Sequence, residues 1–365
     1  MSKSAETPDV AKKIQVLSKD IYADILQRKK PHFEVPLRSL SNVNYDPKAG
    51  YFELAGQTKS RTLTVNTVKT FAQSLRMMSL SKDLVTTDDI ATKREAYYVS
   101  KNWGDARFME QQESDDVMDD IEAAFLVNRE QLGFIPEEKG GDVAGELIVI
   151  DRDEDGKDLR IDCTRFGSGA YSIPISVEHL KFETKAKFVL AIETAGMFQR
   201  LVKHNYWRKA NCIVISMGGV PTRACRRFIR RLSDECKLPV YGFCDCDPYG
   251  VASIYRTLKV GSGNAAHINK YFCVPNARYM GITPQDIIDY KLPTHPLKDV
   301  DIKRLNDALK NDPFIQHHKE WQNALNLLLR MKKRAEQQAL ATHGLNYVIE
   351  KYLPDKLKQA DKFLP

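Results

Sequence analysis

The 365-residue sequence contains no run approaching about 18 uninterrupted apolar residues, the length a membrane-spanning helix needs. That excludes a helical membrane protein. Residues 1–9 are polar and hold no apolar signal core, so a cytoplasmic location is predicted, with no membrane partner. Cysteine is sparse: seven residues at positions 163, 212, 225, 236, 244, 246 and 273, odd in number and mostly within apolar runs. A disulfide framework is therefore excluded. Cys244-x-Cys246 lacks the spacing and the second pair of a zinc site, and reads as buried strand thiols. No Gly-Lys-Ser/Thr follows Gly218-Gly219, so the chain shows no phosphate loop and no ATP site of its own. Charge of one sign does not dominate either. The formal +7 suits a polyanionic partner without identifying one.

What the chain does have is enough length for two or three domains, each burying a core. Over residues 9–29, Val10, Ile14, Leu17, Ile21 and Ile25 recur at steps of four and three, with Pro31 beyond. An amphipathic helix is predicted, its seam packed on its own domain or docked on a partner helix. Short β-type runs occupy 51–64. Helices are predicted over 66–78, after the capping-box sequence Thr92-Lys93-Arg94-Glu95, and after Ser114, where Asp115, Asp116, Asp119 and Asp120 make an acidic start. The runs Phe134-Ile135 and Leu147-Ile148-Val149-Ile150 flank Lys139-Gly140-Gly141. Three helices followed by a hairpin is the order of a winged helix-turn-helix, a fold that holds duplex DNA. Residues 147–163 read as a hairpin around Asp155-Gly156. The calcium-loop imitation there, Asp151-x-Asp153-x-Asp155-Gly156, lacks the flanking helices that site requires. Residues 299–311, 318–341 and 345–353 carry helical periodicity, to close the core or form a dimer surface.

Two apolar runs end in acids. Lys187-Phe188-Val189-Leu190-Ala191-Ile192 runs into Glu193, and Val240-Tyr241-Gly242-Phe243-Cys244 into Asp245-Cys246-Asp247, with Ile213-Val214-Ile215 and two helical segments between them. This alternation predicts a parallel α/β sheet, whose strands' carboxyl ends share one edge. Glu193, Asp245 and Asp247 are expected to converge there. Carboxylates so placed repel one another, and the expected remedy is a hard divalent cation, Mg²⁺.

Arg223, Arg226, Arg227, Arg230 and Arg231 fall on one face of a predicted helix, opposite Cys225, Phe228, Ile229 and Leu232. The stripe is either a track for a phosphate backbone or a solvated face paired with acids such as Asp234 and Glu235. With Lys139, Arg223, Arg226, Arg227 and Arg230 are the candidate DNA contacts. On the capping-box helix, Ala96, Val99 and Trp103 form an apolar stripe, Arg94 and Lys101 lie opposite, and Tyr97 and Tyr98 flank them. Cations beside a phenol favour phenolate, a competent nucleophile at phosphorus, although paired tyrosines more often pack. The helical wheel does not choose between the two.

A strand ending in Glu and another ending in Asp-x-Asp resemble the Toprim domain. Arg94-Glu95-Ala96-Tyr97-Tyr98, followed by Asp245-Cys246-Asp247-Pro248-Tyr249-Gly250, narrows the likeness to the family that contains the A subunit of archaeal topoisomerase VI and the related meiotic double-strand-break protein. The resemblance runs across nearly the whole chain. It implies a mixed α/β and α+β multidomain protein: an N-terminal extension with a partner-docking helix over 1–68, a winged-helix domain over 69–150, a hairpin and linker over 151–183, and a Toprim domain with C-terminal helices over 184–365. It also implies Tyr98 as nucleophile, Arg94 one turn away beside the phosphate or phenolate, and Glu193, Asp245 and Asp247 as Mg²⁺ ligands. The implied partners are double-stranded DNA, a second copy of this chain in a homodimer, and an ATPase B subunit that binds the ATP, giving an A2B2 heterotetramer. In the family, tyrosine and metal at one cut come from different protomers.

The implied reaction is a transient double-strand break held by 5′-phosphotyrosyl links, through which a second duplex passes. Two rivals keep the same acids. A hydrolytic nuclease or primase-like enzyme would use the metal without a covalent intermediate, and a non-enzymatic DNA-binding protein would use the acids structurally. Within the family, a break-forming transesterase without strand passage is the alternative.

Overall fold

In the computed structural model, which describes residues 9–136 and 140–365, the chain clusters into two units. The first holds residues 9–43, 53–136 and 263–268. Its helices are Val10–Leu26, Val68–Thr87, Lys93–Val99 and Gln111–Phe125, and strands His32–Pro36 and Thr58–Thr62 pair antiparallel beside them. The seam of the first helix is used inside this unit: Val10, Ile14 and Ile21 are buried in one core with Phe33, Phe71, Met77, Val117, Met118 and Phe134. Ile25, expected on that seam, is instead exposed, as are Val16, Tyr22 and Leu26. The capping box forms as the sequence requires, with Thr92 Oγ1 accepting from the Glu95 N–H at 3.1 Å and Glu95 Oε2 from the Thr92 N–H at 2.7 Å.

The hairpin expected across Lys139-Gly140-Gly141 does not form. Phe134–Ile135 pairs in parallel with Ala91–Thr92 in the first unit, whereas Leu147–Arg152 lies in the second, between Asp158–Asp162 and Lys181–Thr184. Two apolar runs flanking a glycine pair satisfy a hairpin pattern, but each run here finds a strand elsewhere that buries it better. Lys139 itself lies outside the described residues.

The second unit is built on a six-stranded sheet in the order Tyr171–Ser172, Asp142–Gly145, Ile213–Ser216, Val189–Ile192, Val240–Phe243, Ala277–Gly281. The last four strands are mutually parallel. Val189–Ile192 and Ile213–Ser216 are buried at every position, as strands covered on both faces must be. The chain leaves Val189–Ile192 for its neighbour on one side, then crosses to Val240–Phe243 on the other. Strand order therefore reverses between the two acid-tipped strands, and ligand crevices of open α/β sheets form at such a reversal. The turn at Asp155-Gly156 is closed by local bonds, with Asp153 Oδ1 accepting from the N–H groups of Asp155 and Lys157. Among the described residues, no helix is long and apolar enough to cross a membrane.

The C-terminal helices depart from expectation at one place. Helix Lys319–Met331 buries Trp321, Leu325 and Leu328 as its periodicity requires, but it stops ten residues short of the predicted 341. Lys332 turns into the left-handed region at φ 52°, and Lys333–Arg334 pairs with His295–Pro296. Tertiary pairing outweighs helix propensity in this stretch.

Candidate active site: an acidic strand edge and a tyrosine helix

Glu193 and Asp245 stand at the carboxyl ends of adjacent parallel strands, and the chain continues the ladder just far enough to couple them. The Glu193 N–H donates to the Phe243 carbonyl at 3.0 Å, and the Asp245 N–H donates to Glu193 Oε2 at 2.9 Å. Glu193 is only 8% exposed. Asp247 is held by the Gly250 N–H, which donates to its Oδ1 at 2.6 Å, and Arg334 approaches its Oδ2 at 3.5 Å. Cys244 and Cys246, the thiols interleaved with the acids, are fully buried, and burial pushes both well above the usual thiol range.

The electrostatics of this edge are unfavourable to anions. Burial, followed by the Asp245 carboxylate, pushes Glu193 up to about 8, with Asp247 and Glu336 adding to the rise. Asp245 is pushed up to about 6, again by burial first, against a lowering by the Gln337 N–H and with Asp247 and Glu336 raising it. Glu193 and Asp245 thus each have a main-chain donor on one oxygen and too little positive charge nearby. That is the signature of a site completed by a cation. Among the described residues no three His, Cys, Asp or Glu side chains stand close enough to enclose an ion, so the three acids do not make a closed protein cage. A divalent cation of the Mg²⁺ kind does not need one. It retains several waters and takes one or two carboxylates together with substrate phosphate oxygens. The acidic edge fits that pattern.

In the other unit, the tyrosine helix separates two residues the helical wheel left equivalent. The Tyr97 hydroxyl donates to the Met109 carbonyl at 2.9 Å and accepts from Lys101 Nζ at 2.8 Å, and the Lys101 ammonium lies 4.0 Å from its ring centroid. Tyr97 is thereby tied to the loop that follows the helix. Tyr98 is 55% exposed, and among the described residues its hydroxyl makes no hydrogen bond. Its ring packs edge-on against Tyr97, centroids 5.3 Å apart, and the Arg94 guanidinium lies 5.8 Å from its centroid. A free phenol beside a guanidinium is what a nucleophile for phosphodiesters requires; a phenol bonded to a carbonyl and an ammonium is a structural post.

The arginine helix, Arg223–Glu235, does bury Cys225, Phe228, Ile229 and Leu232, but its guanidinium groups are largely committed to the protein. Arg227 forks onto Glu178 at 2.6 and 2.8 Å. Arg230 pairs with Asp234 and donates to the Cys273 carbonyl at 2.8 Å. Arg231 pairs with Glu235 and donates to the Leu180 carbonyl at 2.7 Å, and Arg226 is buried, its guanidinium disfavoured by desolvation. Arg223 opens the helix, half-buried. Of the two readings of this stripe, the contacts follow the one with carboxylate partners.

Sequence reasoning missed Arg334, Glu336 and Gln337. All three act on the acidic edge from about ninety residues downstream, and the Gln337 N–H donates to Asp245 Oδ1 at 2.8 Å. No local signal marks them.

Family comparison covers the chain in three consecutive matches: a type IIB DNA topoisomerase model over residues 69–134, an all-beta domain in DNA topoisomerase VI alpha subunit over 137–186, and the Toprim domain of Spo11 and the topoisomerase 6 A subunit over 188–357. The A subunit of type 2 DNA topoisomerase 6 from Methanocaldococcus jannaschii is 54% identical over 99% of this chain and 98% of its own length. Proteins of the same name from Methanothermobacter thermautotrophicus and Pyrococcus abyssi are 37% and 36% identical, over 96% and 99% of this chain and 97% of each relative. Glu193, Asp245 and Asp247 all lie within the Toprim match, and Arg94 and Tyr98 within the N-terminal one. The chain belongs to the family of type IIB DNA topoisomerases that comprises Spo11 and the topoisomerase 6 A subunit.

Proposed function

We propose that this chain is the DNA-cleaving and rejoining subunit of an ATP-dependent type IIB topoisomerase, with Tyr98 as its nucleophile. The observation that carries the assignment of the nucleophile is the contrast between two neighbouring hydroxyls, Tyr97 bonded on both sides and Tyr98 free beside Arg94. Tyr98 Oη attacks a backbone phosphorus; the Oη–P bond forms as the P–O3′ bond breaks, and the departing 3′ oxygen takes up a proton. One phosphodiester replaces another, so the reverse reaction reseals the strand without an energy source. Arg94 meets the phosphate and keeps charge near the attacking oxygen. Glu193 and Asp245, with Asp247, are the residues that would hold a divalent ion, which we take to be Mg²⁺. When bound it supplies neutralising charge to the phosphate oxygens and to the leaving 3′ oxygen.

The unit carrying Tyr98 is proposed as a winged helix-turn-helix, supported by its helices Val68–Thr87, Lys93–Val99 and Gln111–Phe125 and by the closing pair Ala91–Thr92 and Phe134–Ile135. The relatives' designation as one subunit of an enzyme supports a companion chain, and a glycine pair without a phosphate-loop lysine agrees with ATP being bound there. We propose a homodimer of this chain with two ATPase B subunits, an A2B2 assembly acting on double-stranded chromosomal DNA in the cytoplasm.

The test is a covalent-adduct assay with DNA, ATP, Mg²⁺ and the B subunit, stopped with denaturant. Wild type and Tyr97→Phe are expected to yield chain linked to DNA 5′ ends, and Tyr98→Phe none. Abundant adduct from Tyr98→Phe would sink the assignment. Strand cutting that survives in Tyr98→Phe without any adduct would support the hydrolytic nuclease.

A further inference from the structure

After helix Lys319–Met331 the chain returns to the acidic edge by a route the sheet does not require. Ala335 exchanges two backbone hydrogen bonds with Cys246, the residue between the two aspartates, at 2.8 and 3.2 Å. Two residues on, Gln337 is fully buried and bonds through its main-chain N–H and both ends of its side-chain amide. Its N–H donates to Asp245 Oδ1 at 2.8 Å, its Nε2 to the Phe243 carbonyl at 2.6 Å, and its Oε1 accepts from Thr194 Oγ1 at 2.8 Å. Thr194 directly follows Glu193, and Phe243 ends the strand that leads to Asp245. One side chain therefore ties together the ends of both acid-tipped strands.

A buried amide has to be fully bonded to be tolerated, and an apolar residue of the same size would fill the space without that demand. The groups the Gln337 side chain satisfies, the Phe243 carbonyl and the Thr194 hydroxyl, belong to the two acid-tipped strand ends, and its main-chain N–H meets Asp245 directly. With the Gln337 N–H on Asp245 Oδ1 and the Asp245 N–H on Glu193 Oε2, Glu193 and Asp245 are each oriented through one oxygen while the other remains to meet a ligand; Asp247 is held by the Gly250 N–H on Oδ1 and faces Arg334 with Oδ2. We infer that Gln337 is a positioning residue for divalent-cation binding, a brace that holds the Glu193 and Asp245 strand ends at one separation and sets the rotamer of Asp245. This rests on the reading of those acids as the cation site. Outer partners of this kind contribute about 10- to 100-fold in metal affinity.

The experiment is a Mn²⁺ titration of the full chain, followed by the electron paramagnetic resonance of the free ion, with melting in EDTA measured alongside. Gln337→Met keeps the buried volume and loses both side-chain hydrogen bonds. It is expected to fold to a cooperative melt and to bind Mn²⁺ at least about tenfold more weakly. Thr194→Val reaches the brace from its other end and is expected to do the same, while Thr194→Ser, which keeps the hydroxyl, retains affinity. Should Gln337→Met fail to fold, the Thr194 pair decides. Unchanged affinity in Thr194→Val and in any folded Gln337→Met, in an assay where Asp245→Asn abolishes binding, overturns the brace alone. Wild-type chain that shows no Mn²⁺ binding sensitive to Asp245→Asn overturns the cation site and the brace together.

Discussion

The Asp245 main-chain amide donates to Glu193 Oε2 across 2.9 Å, so a residue from one strand end orients the acid at the end of the next. The bond fixes the Glu193 carboxylate without neutralising it; burial first, and then repulsion from the Asp245 and Asp247 carboxylates, disfavour its ionisation. A cation that binds only the folded chain relieves that repulsion and stabilises by about 2.7 kcal/mol when present at about one hundred times its dissociation constant. The melting temperature of wild type should therefore rise with Mg²⁺. Glu193→Gln retains an acceptor for the Asp245 amide and cannot ionise to hold a cation. Its melting temperature without metal should equal or exceed that of wild type, and the increment on adding Mg²⁺ should shrink sharply; an undiminished increment would remove Glu193 from the cation site.

Arg94 stands one helical turn before Tyr98, with its guanidinium 5.8 Å from the Tyr98 ring centroid. At an exposed ring that contact is worth only about 0.5–1 kcal/mol, so stability will hardly register its loss. The charge matters where negative charge develops on the attacked phosphate. Losing one such donor typically lowers a rate about 10²- to 10³-fold. Arg94→Ala should slow adduct formation at saturating DNA by that order with an unchanged melting temperature, and Arg94→Lys should recover only part, because a point charge does not reproduce the guanidinium fork. Equal rates for wild type and Arg94→Ala would place the guanidinium outside the reaction.

The difference between what the sequence revealed and what it hid follows the range of the interactions. Val189–Ile192 and Val240–Phe243 were legible because a strand buried on both faces writes a continuous apolar run, and the acids at their ends are adjacent in sequence to those runs. The capping box at Thr92 and Glu95 was legible for the same local reason. Tyr97 and Tyr98 could not be separated, because what distinguishes them is a carbonyl twelve residues away on a loop. The hairpin expected between residues 134–135 and 147–150 was a pairing error: local patterning proposes a strand, and only the fold assigns its neighbour. Gln337 lies 92 residues from the aspartate it orients, in a stretch whose composition favours helix. The arginine stripe shows the opposite limit. Its spacing was read correctly, but the carboxylate of Glu178, forty-nine residues upstream of Arg227, cannot be inferred from a helical wheel.

Gly250 closes the Asp245-Cys246-Asp247-Pro248-Tyr249-Gly250 turn, and it is glycine because of what lies against it rather than because of an unusual φ. A Cβ at this position would stand 2.5 Å from the Asp245 carbonyl oxygen and 3.1 Å from Glu193 Oε2. Neither can yield independently, since Asp245 donates to that same Glu193 oxygen and the Gly250 amide holds Asp247. Gly250→Ala should cost about 1–3 kcal/mol of stability, as overpacking does, and should also weaken Mn²⁺ binding and adduct formation, because all three acids must shift. A variant that loses stability yet binds Mn²⁺ as tightly as wild type would show that the turn can relax away from the acids.

Asp120 supplies the acid-sensitive element of the tyrosine-bearing unit. Its side chain is almost fully buried, accepts from Arg38 Nε at 2.9 Å, pairs with Lys59 at 3.2 Å, and contacts Arg61. Burial alone would raise its pKa; the hydrogen bonds from Arg61 and Arg38 and the surrounding positive charge outweigh that, and the group sits below the usual carboxylate range. A depressed acid contributes stability that is fully present above the ordinary carboxylate pKa of about 3.9 and is lost as pH falls through the lower folded value. Stability should thus decline more steeply on acidification below about pH 4 in wild type than in Asp120→Asn, the two curves converging at low pH. At neutral pH, Asp120→Asn leaves three cations without their shared carboxylate, at a cost of about 3–5 kcal/mol for breaking a buried pair. Urea unfolding measured across this range, with Glu193, Asp245 and Asp247 unaltered, checks both the magnitude and the sign. Parallel pH profiles for the two proteins would mean that the cluster is already broken in solution.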